Sequence, residues 1–167
     1  MTSRREVERM QDFQNGKRPT GQAEWDELSR ELLRLLAADP RRNASDLARA
    51  LGVSAPTVRE RVRRLEEAGV IRGYRLDVDP AALGLPVAAW VRLRPGPGQM
   101  SRIAELVERT PEVSECHRIS GEDCFLIKVH VAELGGLEDV LDRFLVHGQT
   151  TSSLVVSTPV PPRPILP

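Results

Sequence analysis

Two short segments with helical apolar spacing, separated by a turn of only three residues, constrain this chain more than any other feature. The first is predicted as a helix over residues 44–51, with Asn43 as its N-cap. Gly52 follows where a helix end favours the left-handed conformation, which glycine adopts at low cost. Because the turn 52–54 is so short, the next helix must start beside the first. This arrangement is typical of a helix-turn-helix.

The second helix of the pair places its apolar residues on one face. Val58, Val62 and Leu65 stand at positions i, i+4 and i+7, which is the spacing of a single helical stripe. Ser54 is placed to cap the helix, and Pro56 lies in its first turn, where the missing N–H costs little. The pattern therefore predicts a helix whose opposite face is free for another task.

A third helix is predicted ahead of this pair, over residues 24–38. Asp39 and Pro40 stop it, because the residue before a proline disfavours the helical region. Apolar side chains at helical spacing would pack this helix against the other two: Trp25, Leu28, Leu32, Leu35 and Leu36.

The outer face of the second paired helix is rich in arginine. Arginine pairs with phosphates and binds a guanine edge through two hydrogen bonds, and a helix fits the major groove of DNA. Residues near the N-terminal end of the helix are best placed for bases, whereas Arg63 and Arg64 are better placed for phosphates. The predicted DNA contacts are Arg41, Arg42, Ser54, Ala55, Pro56, Thr57, Arg59, Glu60, Arg63, Arg64 and Arg72. The alternative is a solvated arginine-rich helix that binds nothing.

The charge distribution agrees with DNA binding, although the formal net charge is zero. Residues 1–75 contain 16 Arg and Lys and 12 Asp and Glu, which gives +4; residues 76–167 contain 8 and 12, which gives −4. A basic first half and an acidic second half fit a DNA-facing head on a body that does not touch DNA. Chance asymmetry in a neutral protein is the alternative.

The second half of the chain alternates strands and helices. The predicted order is β-α-β-β-α-β, a ferredoxin-like unit: strand 85–94, helix 100–109, strands 113–120 and 124–131, helix 134–145 and strand 150–158. A further strand is predicted at residues 70–77, and residues 79–84 are predicted as a capped turn. The predicted fold class is α+β: an N-terminal (winged) helix-turn-helix domain and a C-terminal ferredoxin-like βαββαβ domain.

Cys116, His117, Cys124 and His130 lie on adjacent predicted strands. Because Cys116 and His117 are consecutive on a strand, their side chains point to opposite faces, and a compact tetrahedral metal site is not expected. Cys124 has no base at useful spacing and is interpreted as a small buried thiol. We expect no metal, no cofactor and no catalytic residue. With no apolar run of about 18 residues and no apolar signal core, the expected location is cytoplasmic.

With these elements placed, the chain resembles the Lrp/AsnC (leucine-responsive regulator) family over residues 24–158. The stretch LARALGVSAPTVRERVRRLEEAGVIRGYRLDVDPAALG, residues 47–84, follows the family pattern closely. RISGEDCFLIKVHV, residues 118–131, is a second matching block. The resemblance implies homo-oligomers that dimerise through their C-terminal sheets and often form tetramers, octamers or larger discs. It also implies that an amino acid or related small molecule binds between C-terminal domains as an effector.

In this family, the turn after the second strand of the C-terminal domain and the last strand usually line the pocket. Carried onto this chain, the effector-binding candidates are Ser120, Gly121, Glu122, Asp123, Cys124, Thr150, Thr151 and Ser153. Backbone N–H groups around Gly121 can hold a carboxylate, and an acidic side chain can hold an ammonium. The family turn commonly reads Gly-x-x-Asp and then an aromatic, whereas here Cys124 takes the Asp position.

The sequence therefore predicts five segments: a flexible N-terminal extension (1–23), a helix-turn-helix DNA-binding domain (24–78), a hinge (79–86), a ferredoxin-like ligand-sensing and oligomerisation domain (87–159) and a proline-rich tail (160–167). The predicted function is a sequence-specific transcriptional regulator that binds double-stranded DNA as a homo-oligomer and responds to a small-molecule effector. One alternative is an enzyme similar to siroheme decarboxylases, which resemble the same two-domain arrangement. Another is an assembly or sensor module whose head has lost DNA affinity.

Overall fold

The computed structural model of the protein describes residues 26–166. The predicted extension 1–23 and the predicted packing of Trp25 lie outside the described residues. The chain divides into two compact units, one containing residues up to 76 together with 162–167, the other containing residues 77–161. We call the described parts of these units the head and the body. Within residues 26–166, no helix is both long and apolar enough to span a bilayer.

Three helices form the head, and each begins at a polar capping residue. They are α1 (Glu27–Ala38), α2 (Ala44–Leu51) and α3 (Ala55–Glu67). Asp26 accepts a hydrogen bond from the Ser29 amide at 2.8 Å, so α1 begins after Asp26 and not at the predicted residue 24. Asn43 caps α2 as predicted, because its side-chain oxygen accepts from two amides of the first turn.

Apolar side chains from all three helices meet in one core. The buried members are Leu32, Leu33, Leu36, Leu47, Ala48, Val58 and Leu65. Full burial of a leucine or valine contributes about 1.5–3 kcal/mol, so this cluster supplies most of the stabilisation of the head. Gly52 ends α2 with φ 67°, as the glycine at this position predicts.

The segment after α3 differs from the prediction, because no strand forms at residues 70–77. A strand needs a neighbour to satisfy its amides and carbonyls. Instead, the Val70 and Ile71 amides donate to the Leu65 carbonyl oxygen at 2.9 and 3.1 Å and close the end of α3. Gly73, with φ 147°, then continues an extended segment that has no sheet partner among the described residues. The prediction of a strand over residues 70–77 was therefore wrong.

The predicted turn at residues 79–84 is confirmed. Asp79 accepts a hydrogen bond from the Ala81 amide at 3.0 Å, and a 3₁₀ turn follows over Ala81–Leu83. Gly84 closes it with φ 82°.

The body has the predicted order of elements. These are β1 (Val87–Pro95), α4 (Met100–Arg109), β2 (Val113–Arg118), β3 (Phe125–Val131), α5 (Leu134–Leu145) and β4 (Gly148–Leu154). The four strands form one antiparallel sheet in the order β2-β3-β1-β4. Two helices on one side of such a sheet make the ferredoxin-like unit, so the predicted α+β class is confirmed.

The strands alternate between a core face and an open face. Val91 and Leu93 on β1 are fully buried, as are Ile127 and Val129 on β3, and they pack with α4 and α5 side chains in one cluster. The register pairs Trp90 with Lys128 and Arg92 with Leu126 on the opposite face. This open face presents charged and aromatic side chains.

Strand β4 begins two residues earlier and ends four residues earlier than predicted. Gly148 begins it because a Cβ there would lie 2.1 Å from the Arg94 carbonyl oxygen, so only glycine permits this approach. The ladder ends at Leu154 because its partner, Ala89, is near the start of β1. Residues 155–166 contain no helix or strand, and half-buried Leu166 packs against the head core.

Candidate nucleic-acid interface and effector turn

The geometry of α3 fixes which side chains face outward. Val58 and Leu65 are each only 2% exposed and anchor the helix in the head core. Thr57, Arg59 and Arg63 lie on the solvent side. Because two buried anchors hold the helix over two turns, its outward side chains project from a rigid support.

The start of α3 is held by side-chain hydrogen bonds. The Thr57 amide donates to the Ser54 hydroxyl oxygen at 3.3 Å, and the two hydroxyl oxygens are 2.8 Å apart. Pro56 lies in the first turn and is exposed, whereas Ala55 packs partly against the core. The predicted base-contacting end of the helix is therefore well ordered, with Ser54 engaged as its cap.

The charged side chains on the outer face of α3 form a local network. Arg63 donates to the Glu60 carboxylate at 2.7 Å, and Arg64 donates to the same carboxylate at 3.0 Å. Arg63 also contacts Glu67 one turn further on. Hydrogen bonds from Arg63 and Arg64 lower the pKa of Glu60 to about 2, and those from Glu60 and Glu67 raise the pKa of Arg63. Both groups are therefore charged at any pH of interest.

Arg61 has a structural contact. Its guanidinium lies 2.9 Å from the Asp26 carboxylate and its side chain is only 18% exposed. The Ser29 amide and then the Arg61 charge hold the pKa of Asp26 below its usual value. Arg61 thus ties α3 to the start of α1.

Other predicted arginines carry no such pair. Among residues 26–166, the guanidiniums of Arg41, Arg42, Arg59 and Arg72 have no ion-pair partner. Arg41 and Arg42 line a cleft of about 400 Å³ at the start of α2. Asp39, Asp46 and Arg49 also line this cleft, so its charge is only weakly positive. Its place beside a helix N-terminus adds to its attraction for a phosphate group.

A second groove brings several predicted residues together. It has a volume of about 240 Å³, an apolar floor that includes Leu47 and Val58, and a rim that includes Arg42, Arg59 and Arg63. Tyr74, which the sequence reasoning missed, also lines it and donates to the Glu66 carboxylate at 3.3 Å. The sequence analysis placed Tyr74 in a predicted strand, and that prediction gave no reason to bring its side chain beside α3.

The turn predicted to hold an effector lies in the body, after β2. Gly121 has φ 107°, a conformation that other residues rarely adopt. The Cys124 amide donates to the Leu93 carbonyl oxygen at 2.9 Å and joins the turn to β1. Glu122 and Asp123 are both engaged by β1: Arg94 contacts Glu122, and Arg92 and Arg94 each lie 3.7 Å from Asp123.

The structure brings only part of the predicted effector set together. Thr151 pairs with Arg92 across the sheet and Ser153 pairs with Trp90, so both lie on the open face. Thr150 pairs with buried Leu93 on the core face. The Cys124 side chain packs against the body core, and exposed Ser120 lies at the start of the turn.

Arg92 and Arg94 are the side chains that the sequence reasoning missed. The signal was present, because they alternate with Val91 and Leu93 on a strand, which places them on the opposite face from the core. Their pairing with Glu122 and Asp123 was not readable, since those residues are about 30 positions away.

The described cysteines and histidines of the body are not arranged as metal ligands. Among residues 26–166, no three His, Cys, Asp or Glu side chains are grouped as metal ligands. His117 instead lies 3.6 Å from Glu115, which also pairs with Lys128 at 3.4 Å. Burial, with the nearby Lys128 charge, lowers the pKa of His130. Burial raises the pKa of the Cys116 thiol, so it is a weak nucleophile.

A rigid helix with outward arginines and a separate ferredoxin-like body define a helix-turn-helix protein with a second domain. Residues 26–72 match the family model described as winged helix-turn-helix DNA-binding, and residues 87–165 match the Lrp/AsnC ligand binding domain. The chain belongs to the Lrp/AsnC family of transcriptional regulators.

Two relatives align with this chain over more than nine-tenths of their own length. The chain is 37% identical to the HTH-type transcriptional regulator LrpA of Mycobacterium tuberculosis, over 80% of this chain and 91% of the relative. It is 31% identical to the HTH-type transcriptional regulator LrpC of Bacillus subtilis, over 79% and 92%.

Solved structures show the same fold. The B. subtilis LrpC structure superposes with a TM-score of 0.77 at 30% identity, covering 81% of this chain and 96% of that one. A feast or famine regulatory protein from M. tuberculosis, solved in complex with L-methionine, gives 0.78 at 36% identity, covering 85% and 99%. The predicted family and its DNA-binding regulator class are therefore confirmed.

Proposed function

We propose that α3 enters the major groove of DNA and that Arg59 makes a base contact there. The observation that carries this assignment is the free guanidinium of Arg59 on the first half of a rigid helix, where no described residue pairs with it. Such a side chain can bind a guanine edge through two hydrogen bonds without first breaking an ion pair. Thr57, Ala55 and Pro56 share this end of the helix and complete the base-facing surface.

The remaining predicted arginines would fix the position of the head on the duplex. Arg41 and Arg42 line the basic cleft at the start of α2, and Arg72 lies beyond the end of α3. Arg41 and Arg72 are exposed and Arg42 is half-buried. Their guanidiniums suit phosphates, which set register and orientation and carry no sequence information of their own. We therefore assign DNA binding to residues 24–78 and ligand binding to residues 87–159.

The test is fluorescence anisotropy of the purified protein against a duplex from upstream of its own gene. A scrambled duplex of the same length and composition, at the same salt concentration, is the control. A preference of about a thousandfold or more for the upstream duplex is expected for specific recognition. Equal and strongly salt-dependent binding to both duplexes would contradict it, since that is the behaviour of a non-specific basic surface.

For the effector, we propose a zwitterionic amino acid at the turn 120–124 on the open face of the sheet. Arg92 and Arg94 can bind its carboxylate, and Asp123 can bind its ammonium, so these three charged side chains complement both ends of the ligand. Thr151 and Ser153 lie on the same face across β1. The proposal is supported by the relative solved with L-methionine.

Isothermal titration calorimetry with L-methionine tests this site. Arg94→Gln should weaken binding by about tenfold, because it removes a charged hydrogen bond to the ligand. Arg102→Gln is the matched control, since Arg102 is an exposed arginine paired with Glu105 on α4. Equal affinity in both variants would place the ligand elsewhere, and no binding of any of the twenty amino acids would contradict an amino-acid effector.

We propose a homodimer in which the open face of the sheet meets a second copy. Half-buried Trp90 and Leu126 lie on this face, beside the Lys128 ammonium at 5.7 Å from the Trp90 ring. Aromatic residues are enriched in protein interfaces. Sedimentation velocity should show at least a dimer for the natural protein and a shift toward monomer for Trp90→Glu. An unshifted variant would place the interface elsewhere.

We further propose that the chain acts by binding alone, in the cytoplasm where its DNA lies. None of the roles assigned above requires a reacting side chain. The purified protein should be colourless, and activity of the siroheme-decarboxylase kind would be revealed by a co-purifying tetrapyrrole with strong visible absorbance. That result would overturn the non-enzymatic assignment.

A further inference from the structure

Some of the arginines on the outer face of α3 are paired with carboxylates and must exchange these partners before they can bind a phosphate. Arg63 and Arg64 both donate to one carboxylate, that of Glu60, at 2.7 and 3.0 Å. Arg59, on the same helix, has no such partner among residues 26–166. The three arginines therefore differ in what they must give up before they can bind a phosphate.

Glu60 occupies the centre of this arrangement. It lies three residues before Arg63 and four before Arg64, so both guanidiniums reach it along one face of the helix. Its carboxylate is about half exposed, as are both arginines. A negative group at this position would stand close to the phosphates of any duplex that α3 enters, whatever the base sequence.

We infer that Glu60 is a positioning residue that weakens the binding of the head to any duplex, because it holds Arg63 and Arg64 in ion pairs that must be exchanged for contacts with phosphates. This inference rests on the proposed DNA-binding function. On a correct site, base contacts made by Arg59 and its neighbours offset the exchange of Glu60 for phosphate. On an incorrect site they do not, and binding is weaker than the number of arginines suggests.

The magnitudes are consistent with an exchangeable pair. Exposed ion pairs are weak, so the arginines can be released when a better partner is present. Removing two such pairs should strengthen binding to arbitrary DNA by about threefold to tenfold at low salt. The low pKa of Glu60, about 2, means that mild acidification will not remove this charge.

Glu60→Gln is the direct test, measured by anisotropy on the scrambled and the upstream duplexes across a range of salt concentrations. On the scrambled duplex, affinity should rise by about threefold to tenfold, and the slope of log K against log salt should steepen by about one to two. Affinity for the upstream duplex should rise by a similar factor, so the specificity ratio should stay close to that of the natural protein. A merely structural role for Glu60 would not change the salt slope.

Glu31→Gln is the matched control. Glu31 pairs with Arg34 at 3.1 Å on α1, with the same spacing of three residues and similar exposure. It changes the net charge of the head by the same amount but does not lie on α3. Glu67→Gln, which releases only one contact of Arg63, should give a smaller effect than Glu60→Gln in the same direction.

The outcomes separate the two proposals. If Glu60→Gln and Glu31→Gln give the same affinities and salt slopes, the role of Glu60 is overturned while DNA recognition stands. If the natural protein shows no preference for the upstream duplex, the proposed function fails, and the slope on the scrambled duplex still decides whether Glu60 restrains Arg63 and Arg64. A variant that loses helical circular dichroism would be replaced by Glu60→Ala, for which the same slope change is expected.

Discussion

The head and the body use ion pairs in different ways. In the head, most pairs join residues three or four apart on one helix, such as Arg49 with Asp46 and Arg63 with Glu60. In the body, several pairs join distant segments: Arg94 with Glu122 across 28 positions, and Arg143 with Glu112 across 31. The first kind can break without moving any backbone. The second kind connects elements that fold together.

This difference matches the tasks assigned to the two regions. A surface that must meet DNA benefits from charges whose partners can be exchanged, because each arginine can leave a local carboxylate for a phosphate. A domain that holds a ligand turn against a strand benefits from pairs that fix that turn, as Arg92 and Arg94 do for Asp123.

The largest expected effect is on the body core. Phe144 on α5 is 1% exposed, and Phe144→Ala should lower the free energy of unfolding by about 3–5 kcal/mol. Urea unfolding followed by Trp90 fluorescence in a Trp25→Phe background measures it. Leu145→Ala is the control, since Leu145 is 51% exposed and should change stability by under about 0.5 kcal/mol. Equal losses would show that the body core is not where the structure places it.

Next in size is the loss of the proposed base contact. Arg59→Ala should weaken binding to the upstream duplex by about 1–3 kcal/mol, because a bidentate base contact is removed. Competition anisotropy at fixed salt measures it, with Arg109→Ala in the body removing the same charge from an exposed site. If the two variants lose the same affinity on both duplexes, Arg59 acts only through its charge.

The sequence predicted those elements whose signals are local. The bounds of α2, α4 and α5 are as predicted, because Asn43, the glycines and the apolar spacing mark them within one or two turns. The strand predicted at residues 70–77 was wrong, since its existence depends on a partner that no local pattern specifies. The start of β4 depends on the close approach of Gly148 to Arg94, which the sequence does not reveal.

The candidate sites divide in the same way. The outward set on α3, including Arg59 and Arg63, could be read from helical period alone. The β1 partners of the effector turn could not, because Arg94 meets Glu122 only after the sheet has formed. The pairing of Glu60 with two arginines follows from local spacing, but its geometry required the structure.

Loss of the Asn43 cap of α2 should have a smaller effect than either of the first two substitutions. Asn43 accepts hydrogen bonds from the Ser45 and Asp46 amides at 3.0 and 2.9 Å. Asn43→Ala should cost about 1 kcal/mol of head stability, whereas Asn43→Gly should cost only a few tenths. Thermal unfolding followed by circular dichroism compares them. Equal losses would mean that the side-chain oxygen is not the stabilising group.

The smallest effect concerns a long-range pair in the body. The Arg143 guanidinium lowers the pKa of Glu112, so this carboxyl contributes stability that is present above its unfolded pKa and lost as pH falls through the folded value. Glu112→Gln should therefore cost under about 1 kcal/mol at pH 7, because the pair is partly exposed, and nothing in strong acid.

Urea unfolding at a series of pH values between 7 and 2 measures this dependence. Glu105→Gln is the control, since Glu105 makes an exposed pair with Arg102 within α4. If Glu112→Gln costs the same at every pH, its loss is one of packing and the long-range pair does not stabilise the body.

Selection of binding sites from a random duplex library tests the central claim most directly, because it asks whether α3 reads bases. The natural protein should enrich one motif, with two half-sites about 10 base pairs apart if two heads bind together. Arg59→Ala should enrich the same motif with relaxed preference at one position of each half-site. An unchanged motif in Arg59→Ala would contradict the assignment of Arg59, and the absence of any enriched motif for the natural protein would contradict sequence-specific recognition by the head.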